Sequence, residues 1–321
     1  MTDFGYTMMC EQSPPDQLVR DIQKAEAAGF DFSVTSDHYQ PWLAEQGHSG
    51  YAWSILGAAA QATERIGLMT YVTCPTLRYH PAIIAQKAAT MQILSGNRFR
   101  LGLGAGENLN EHVVGKRWPA VGVRHEMLSE AVDIIGELFE GGDVNYRGRH
   151  FDVEQAKLWD LPQQRVPVGI AVSGEASCRL AGTKTDLMIA VEPDGELVEM
   201  FEHHGGQGKA RVGQIALAYD PDRDAAVKRA HEQFRWFGLG WKVNADLPNP
   251  ESFDAATQFV TPEQVAESLG CGPDVEEHVE KIKPFVEAGF TEVALVQIGA
   301  DHQDQFIDWA ERELLPALRS L

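Results

Sequence analysis

The chain has 321 residues, room for one large domain or two small ones, and its 47 acidic against 27 basic side chains give a formal net charge of −20. That balance excludes nucleic acid and an anionic membrane surface as partners, since both need a positive footprint, and no apolar run approaches the roughly 20 residues that span a bilayer. Met1-Thr2-Asp3-Phe4-Gly5 has no basic leader and no apolar stretch behind it, so no secretory signal is expected. Cys10, Cys74, Cys178 and Cys271 form no C-x-x-C pair, which suits a reducing compartment and offers neither a zinc site nor a disulfide framework. A cytoplasmic enzyme is the expectation.

From the amino terminus onward, apolar runs alternate with helix-period segments. Strands are expected at 4–9, 32–35, 66–72, 98–103, 168–172, 187–191, 214–219 and 293–298, and eight such runs separated by helices imply one α/β domain over 1–321, a (β/α)8 TIM barrel. The first helix opens at Ser13-Pro14-Pro15-Asp16, presents Leu18, Ile22 and Ala25 on one face and stops at Gly29. Its end, Glu26-Ala27-Ala28-Gly29-Phe30-Asp31-Phe32, is repeated as Glu287-Ala288-Gly289-Phe290-Thr291-Glu292-Val293, one helix, cap and strand unit used twice. Insertions interrupt the alternation at 143–160, a hairpin, and at 238–260, a stretch long enough to be a lid or binding loop.

Two strand ends carry chemistry. Ser36-Asp37-His38-Tyr39-Gln40-Pro41-Trp42 follows the second run, at the barrel mouth where substrates bind, and places an imidazole, which can be neutral near pH 7 and act as a general base, beside an indole wall. The fourth run, Phe99 to Leu103, enters Gly104-Ala105-Gly106-Glu107-Asn108-Leu109-Asn110-Glu111. Its glycines permit close backbone approach or relieve crowding, and Glu107 suits either a helix start or a proton carrier. The pairs His203-His204 and His112 with His125 lack a carboxylate partner at ligand spacing and read as surface residues, so no metal is expected.

Linked in this order, with segments 73–81, 166–171 and 292–296 between and beyond them, these motifs resemble the coenzyme F420-dependent branch of the luciferase-like superfamily, in particular the F420-dependent glucose-6-phosphate dehydrogenase family. The resemblance implies a luciferase-like barrel, coenzyme F420 and a homodimer. It implies that His38 takes the alcohol proton as a hydride leaves carbon, that Glu107 serves a proton at the reduced ring, and that Trp42 packs on cofactor or substrate. It assigns Asp37, Val72, Cys74, Ala105, Gly106, Asn110, Ser173, Gly174, Ala176 and Ser177 to the coenzyme, with a non-proline cis peptide at Tyr71-Val72. Ser173-Gly174 stands where the family has a Gly-Gly pair before a helix, a site for the coenzyme phosphate.

The likeness breaks at the substrate. Val191, Asp194, Asn244 and Ser268 fall on substrate-binding positions, and the last three replace a basic phosphate clamp, so a neutral alcohol, ketone or unphosphorylated sugar is expected. Trp42, Tyr51, Trp53, Trp236 and Trp241 are candidates for an aromatic pocket. Alternatives are a sugar-phosphate dehydrogenase, an FMN-dependent monooxygenase, and a coenzyme-binding protein without turnover.

Overall fold

The computed structural model describes residues 2–321 and contains all eight expected strands: Asp3–Met8, Phe32–Thr35, Gly67–Thr70, Phe99–Leu103, Val168–Ala171, Leu187–Ala190, Ala210–Ala218 and Glu292–Gln297. All are parallel, and pairing of the seventh with both the sixth and the eighth closes the sheet into a barrel. Alternation decides which side chains go where. Phe32, Val34, Met69, Leu187, Ile189, Val212 and Ala294 fill the barrel interior, while Leu68, Leu101, Ile170 and Leu295 face the surrounding helices. No described helix is long and apolar enough to cross a membrane.

The third strand is shorter than its apolar run because the chain leaves the ladder at Tyr71, where the Tyr71-Val72 peptide is cis as the resemblance implies. A bridge between Thr73 and Leu103 resumes the pairing. The first insertion is the expected hairpin, Val144–Arg147 against Asp152–Ala156. The carboxylate of Glu130 holds its tip by accepting from the amides of Arg149, His150 and Phe151 at 2.9, 3.0 and 3.2 Å.

The second insertion corrects the expectation of a loop. A 3-10 turn at Arg235–Leu239 leads into short helices Trp241–Asn244 and Pro250–Thr257. Asn249 caps the latter by accepting from the Ser252 amide at 2.9 Å, with Pro250 in the first turn, a start pattern that the preceding prolines and asparagine masked as loop composition. Phe253 and Trp236 then join Trp42, Leu43 and Leu109 in a small core.

Asp21 is an acid in an unfavourable place. It lies on the inner face of the helix Pro15–Ala27, 2% exposed, and its Oδ2 has no partner. Burial, and then the charge of Asp304, push its carboxyl from 3.8 up to about 7. A raised folded value means that the fold loses stability as pH climbs from the unfolded value to the folded one, and the full penalty persists above it. Asp21→Asn is therefore expected to raise the thermal midpoint by several degrees at about pH 8 and to change it little near pH 4. Melting curves across pH check this; a gain equal at both ends would trace the effect to packing instead.

Candidate active site at the carboxyl ends of the strands

His38 sits three residues past the end of the second strand at Thr35 and is buried. Its Nδ1 faces two acceptors, Glu11 Oε1 at 3.2 Å and the Gln40 carbonyl at 3.2 Å. Two acceptors and no donor at Nδ1 assign the proton there and leave Nε2 as the basic nitrogen. Glu11 follows the first strand, is 1% exposed, and accepts from the Ser36 hydroxyl on its other oxygen. Ser36 Oγ in turn accepts from the Cys10 amide at 3.0 Å. The imidazole ring lies 4.8 Å from the ring of Trp42.

Asp37, beside it, is 2% exposed and points into the protein. Oδ2 accepts from Thr73 Oγ1 at 2.7 Å and Trp53 Nε1 at 3.1 Å; Oδ1 accepts from Tyr79 OH at 3.2 Å and faces the Arg78 guanidinium at 3.3 Å. Four donors fill a carboxylate's capacity, so the carboxylate of Asp37, assigned to the coenzyme by resemblance, is engaged within the protein. Arg78 also binds Glu111, whose side chain accepts from its amide at 2.8 Å. Burial raises the Glu111 carboxyl, Arg78 opposes the shift and the charge of Glu107 adds to it.

Glu107 is the N-cap residue of the short helix Asn108–Glu111, yet its carboxylate caps no helix amide and instead accepts from Asn110 Nδ2 at 3.3 Å. Asn110 Oδ1 accepts from the amides of Tyr39 at 2.8 Å and Gln40 at 3.3 Å. One buried amide side chain thus ties the Glu107 carboxylate to the His38 loop. The glycines are explained by crowding: an added Cβ would stand 2.0 Å from Thr70 O at Gly102, 2.5 Å from Val72 Cγ2 at Gly104 and 2.4 Å from Cys74 Sγ at Gly106. The Cys74 thiol itself is pushed well up by burial and faces the Thr76 hydroxyl at 2.9 Å.

Past the fifth strand, Ser177 Oγ accepts from the Ser173 amide at 3.0 Å and donates to the Gly174 carbonyl at 2.9 Å. Ser177, buried, therefore shapes the turn. Ser173 and Ala176 are exposed at the start of the helix Glu175–Lys184, whose first amides have no acceptor within the helix. Trp42 stacks on Trp236 at 4.1 Å and 8°, with Phe253 edge-on at 5.1 Å. Tyr51 and Trp53 do not join this stack: Trp53 is bonded to Asp37 and Tyr51 stands over Lys87. Trp241 is exposed.

Of the substrate positions, Val191 is exposed just beyond the sixth strand. Asp194 caps the helix Gly195–Phe201, accepting from the Glu196 amide at 2.8 Å. Asn244 is 4% exposed with an unpartnered Oδ1, and Trp236, 8% exposed, has an unpartnered Nε1. Ser268 ends the helix Pro262–Ser268, its hydroxyl donates to the Gln264 carbonyl at 3.1 Å, and two residues later Gly270 pairs with Leu217 near the carboxyl end of the seventh strand.

The profile of the luciferase-like monooxygenases matches residues 2–292. The chain belongs to this family. Luciferase-like relatives include the F420-dependent glucose-6-phosphate dehydrogenases of Microbacterium testaceum and Segniliparus rotundus, 35% and 36% identical over 98% and 99% of this chain and 97% and 98% of theirs. A solved F420-dependent secondary alcohol dehydrogenase, in complex with an F420-acetone adduct, matches with a TM-score of 0.90 at 29% identity, covering 99% of each chain. In this luciferase-like barrel the residues that sequence reading passed over are Glu11, Arg78 and Glu111. Glu11 had one cue, a carboxylate placed just after a strand; the two others emerge only from three-dimensional contacts.

Proposed function

We propose that the protein is an F420-dependent oxidoreductase that moves a hydride between the deazaflavin ring and the carbon of a neutral alcohol, ketone or unphosphorylated sugar. The observation that carries this reading is His38, its Nδ1 held by Glu11 and Gln40, standing against Trp42 and tied through Asn110 to Glu107. The residues present fit the coenzyme. The helix start at Ser173, Gly174 and Ala176 suits a phosphate, and the unpartnered buried Nε1 of Trp236 and Oδ1 of Asn244 lack the partners that buried polar groups normally have. Val72, Cys74, Ala105 and Gly106 would border the ring. Bound deazaflavin supplies two-electron hydride exchange.

The chain's own residues handle protons. In oxidation the C–H electron pair leaves with its hydrogen as hydride and the hydroxyl proton passes to His38 Nε2, leaving a carbonyl; reduction reverses both movements. Glu107, partly buried and oriented by Asn110, serves the ring proton. Neutral substrate follows from Asp194, Asn244 and Ser268 standing at positions where the resemblance has the sugar-phosphate dehydrogenases basic.

The working unit is a homodimer in the cytoplasm. The helix Pro81–Leu94 supports the first, since Ile83, Ile93 and Leu94 are exposed on it, and four free, buried cysteines are in keeping with the second. Following deazaflavin absorbance across a panel of unphosphorylated sugars, primary and secondary alcohols and their phosphates tests the reaction. Turnover of a neutral substrate is expected; F420 binding with no turnover on any of them would leave a coenzyme carrier.

A further inference from the structure

Lys87 sits in a cage of three aromatic rings outside the machinery described above. It projects from the helix Pro81–Leu94, its ammonium 3.8 Å from the Tyr79 ring centroid, 5.0 Å from that of Tyr51 and 5.3 Å from that of Trp53. It also donates to the Tyr51 hydroxyl. Two of these rings lead inward to one carboxylate, because Tyr79 OH and Trp53 Nε1 both donate to Asp37. There the charges do not balance: Asp37 and Glu111, both buried, share the single guanidinium of Arg78. A cation over a ring face is attracted by the ring itself, and its field reaches the carboxylates bonded behind those rings.

We propose that Lys87 is a positioning residue: it balances the Asp37-Arg78-Glu111 cluster through Tyr79 and Trp53, and so fixes the strand end from which His38 projects. Its bearing on catalysis rests on the hydride-transfer reading above; its bearing on the cluster does not. Other titratable groups face this assembly. Glu107 lies beside Glu111, Cys74 and Cys10 have thiols pushed well up by burial, Tyr79 is raised by burial and by Asp37, and Tyr51 anchors the ammonium.

Lys87→Met keeps the stem and removes the charge. In ligand-free protein, with oligomeric state checked by light scattering, its thermal midpoint should fall below that of the unmodified protein. Lys87→Arg should restore the midpoint. In the F420 assay Lys87→Met should lower kcat about tenfold through misplacement of the base, with coenzyme KM little changed, and Lys87→Arg should recover it. An unchanged midpoint in Lys87→Met, or an arginine variant no better than methionine, overturns the charge balance; unchanged kcat in Lys87→Met overturns the positioning. If the unmodified protein shows no F420 turnover the functional reading fails, while the melting curves still decide the charge balance. Should Lys87→Met not fold, Tyr51→Phe removes only the hydroxyl anchoring the ammonium and should show the same deficit at smaller size; its absence overturns the proposal.

Discussion

Replacing His38 by alanine is expected to lower kcat on the order of a thousandfold, the scale of a lost general base, while coenzyme affinity stays within a few-fold, because the imidazole acts in the transition state and not in the resting complex. Glu11 provides the control. Its carboxylate faces Nδ1 at 3.2 Å, so Glu11→Gln keeps the shape and removes the charge that favours the Nδ1-H tautomer, and a smaller loss of kcat is expected. Since Glu11 acts only through His38, the double variant should be no slower than His38→Ala alone. Near-normal turnover in His38→Ala, or additive losses in the pair, would remove these roles.

Unphosphorylated substrates are expected to exceed their phosphates in kcat/KM by about a thousandfold or more, given that three missing charge-assisted hydrogen bonds are worth roughly 1.5–3 kcal/mol each. The three positions are Asp194, Asn244 and Ser268. Asp194 adds repulsion toward a dianion, and because it also caps a helix through the Glu196 amide, Asp194→Asn is the clean variant: the cap survives and only the charge goes. Asp194→Asn should narrow the preference and Asn244→Lys should narrow it further. Efficient oxidation of glucose 6-phosphate by the unmodified protein would refute the reading and direct attention to Lys242, two residues before Asn244.

The barrel was legible because each strand is a short apolar run between helix-period segments, and a run buried on both faces needs no alternation to be seen. Its finer features were hidden for identifiable reasons. The run 66–72 gave no local sign of where the ladder stops, and the Pro-rich insertion concealed the helix that Asn249 caps. Of the site, His38, Glu107, Asn110 and Trp42 were readable from motif and position. Asp37 was readable as a site residue but not as one filled by Thr73, Trp53, Tyr79 and Arg78, since those partners come from two other segments of the chain. Trp53 looked like pocket lining for the same reason.

The central claim is that this luciferase-like barrel holds a deazaflavin and not a flavin. Equilibrium titration of the purified protein with F420 and, separately, with FMN, repeated with Gly106→Leu, tests it most directly. The φ of +86° and the 2.4 Å approach to Cys74 Sγ at Gly106 leave no room for a side chain. The account predicts micromolar F420 binding, much weaker FMN binding, and loss of the F420 signal in the variant. FMN binding with no measurable F420 binding would contradict it.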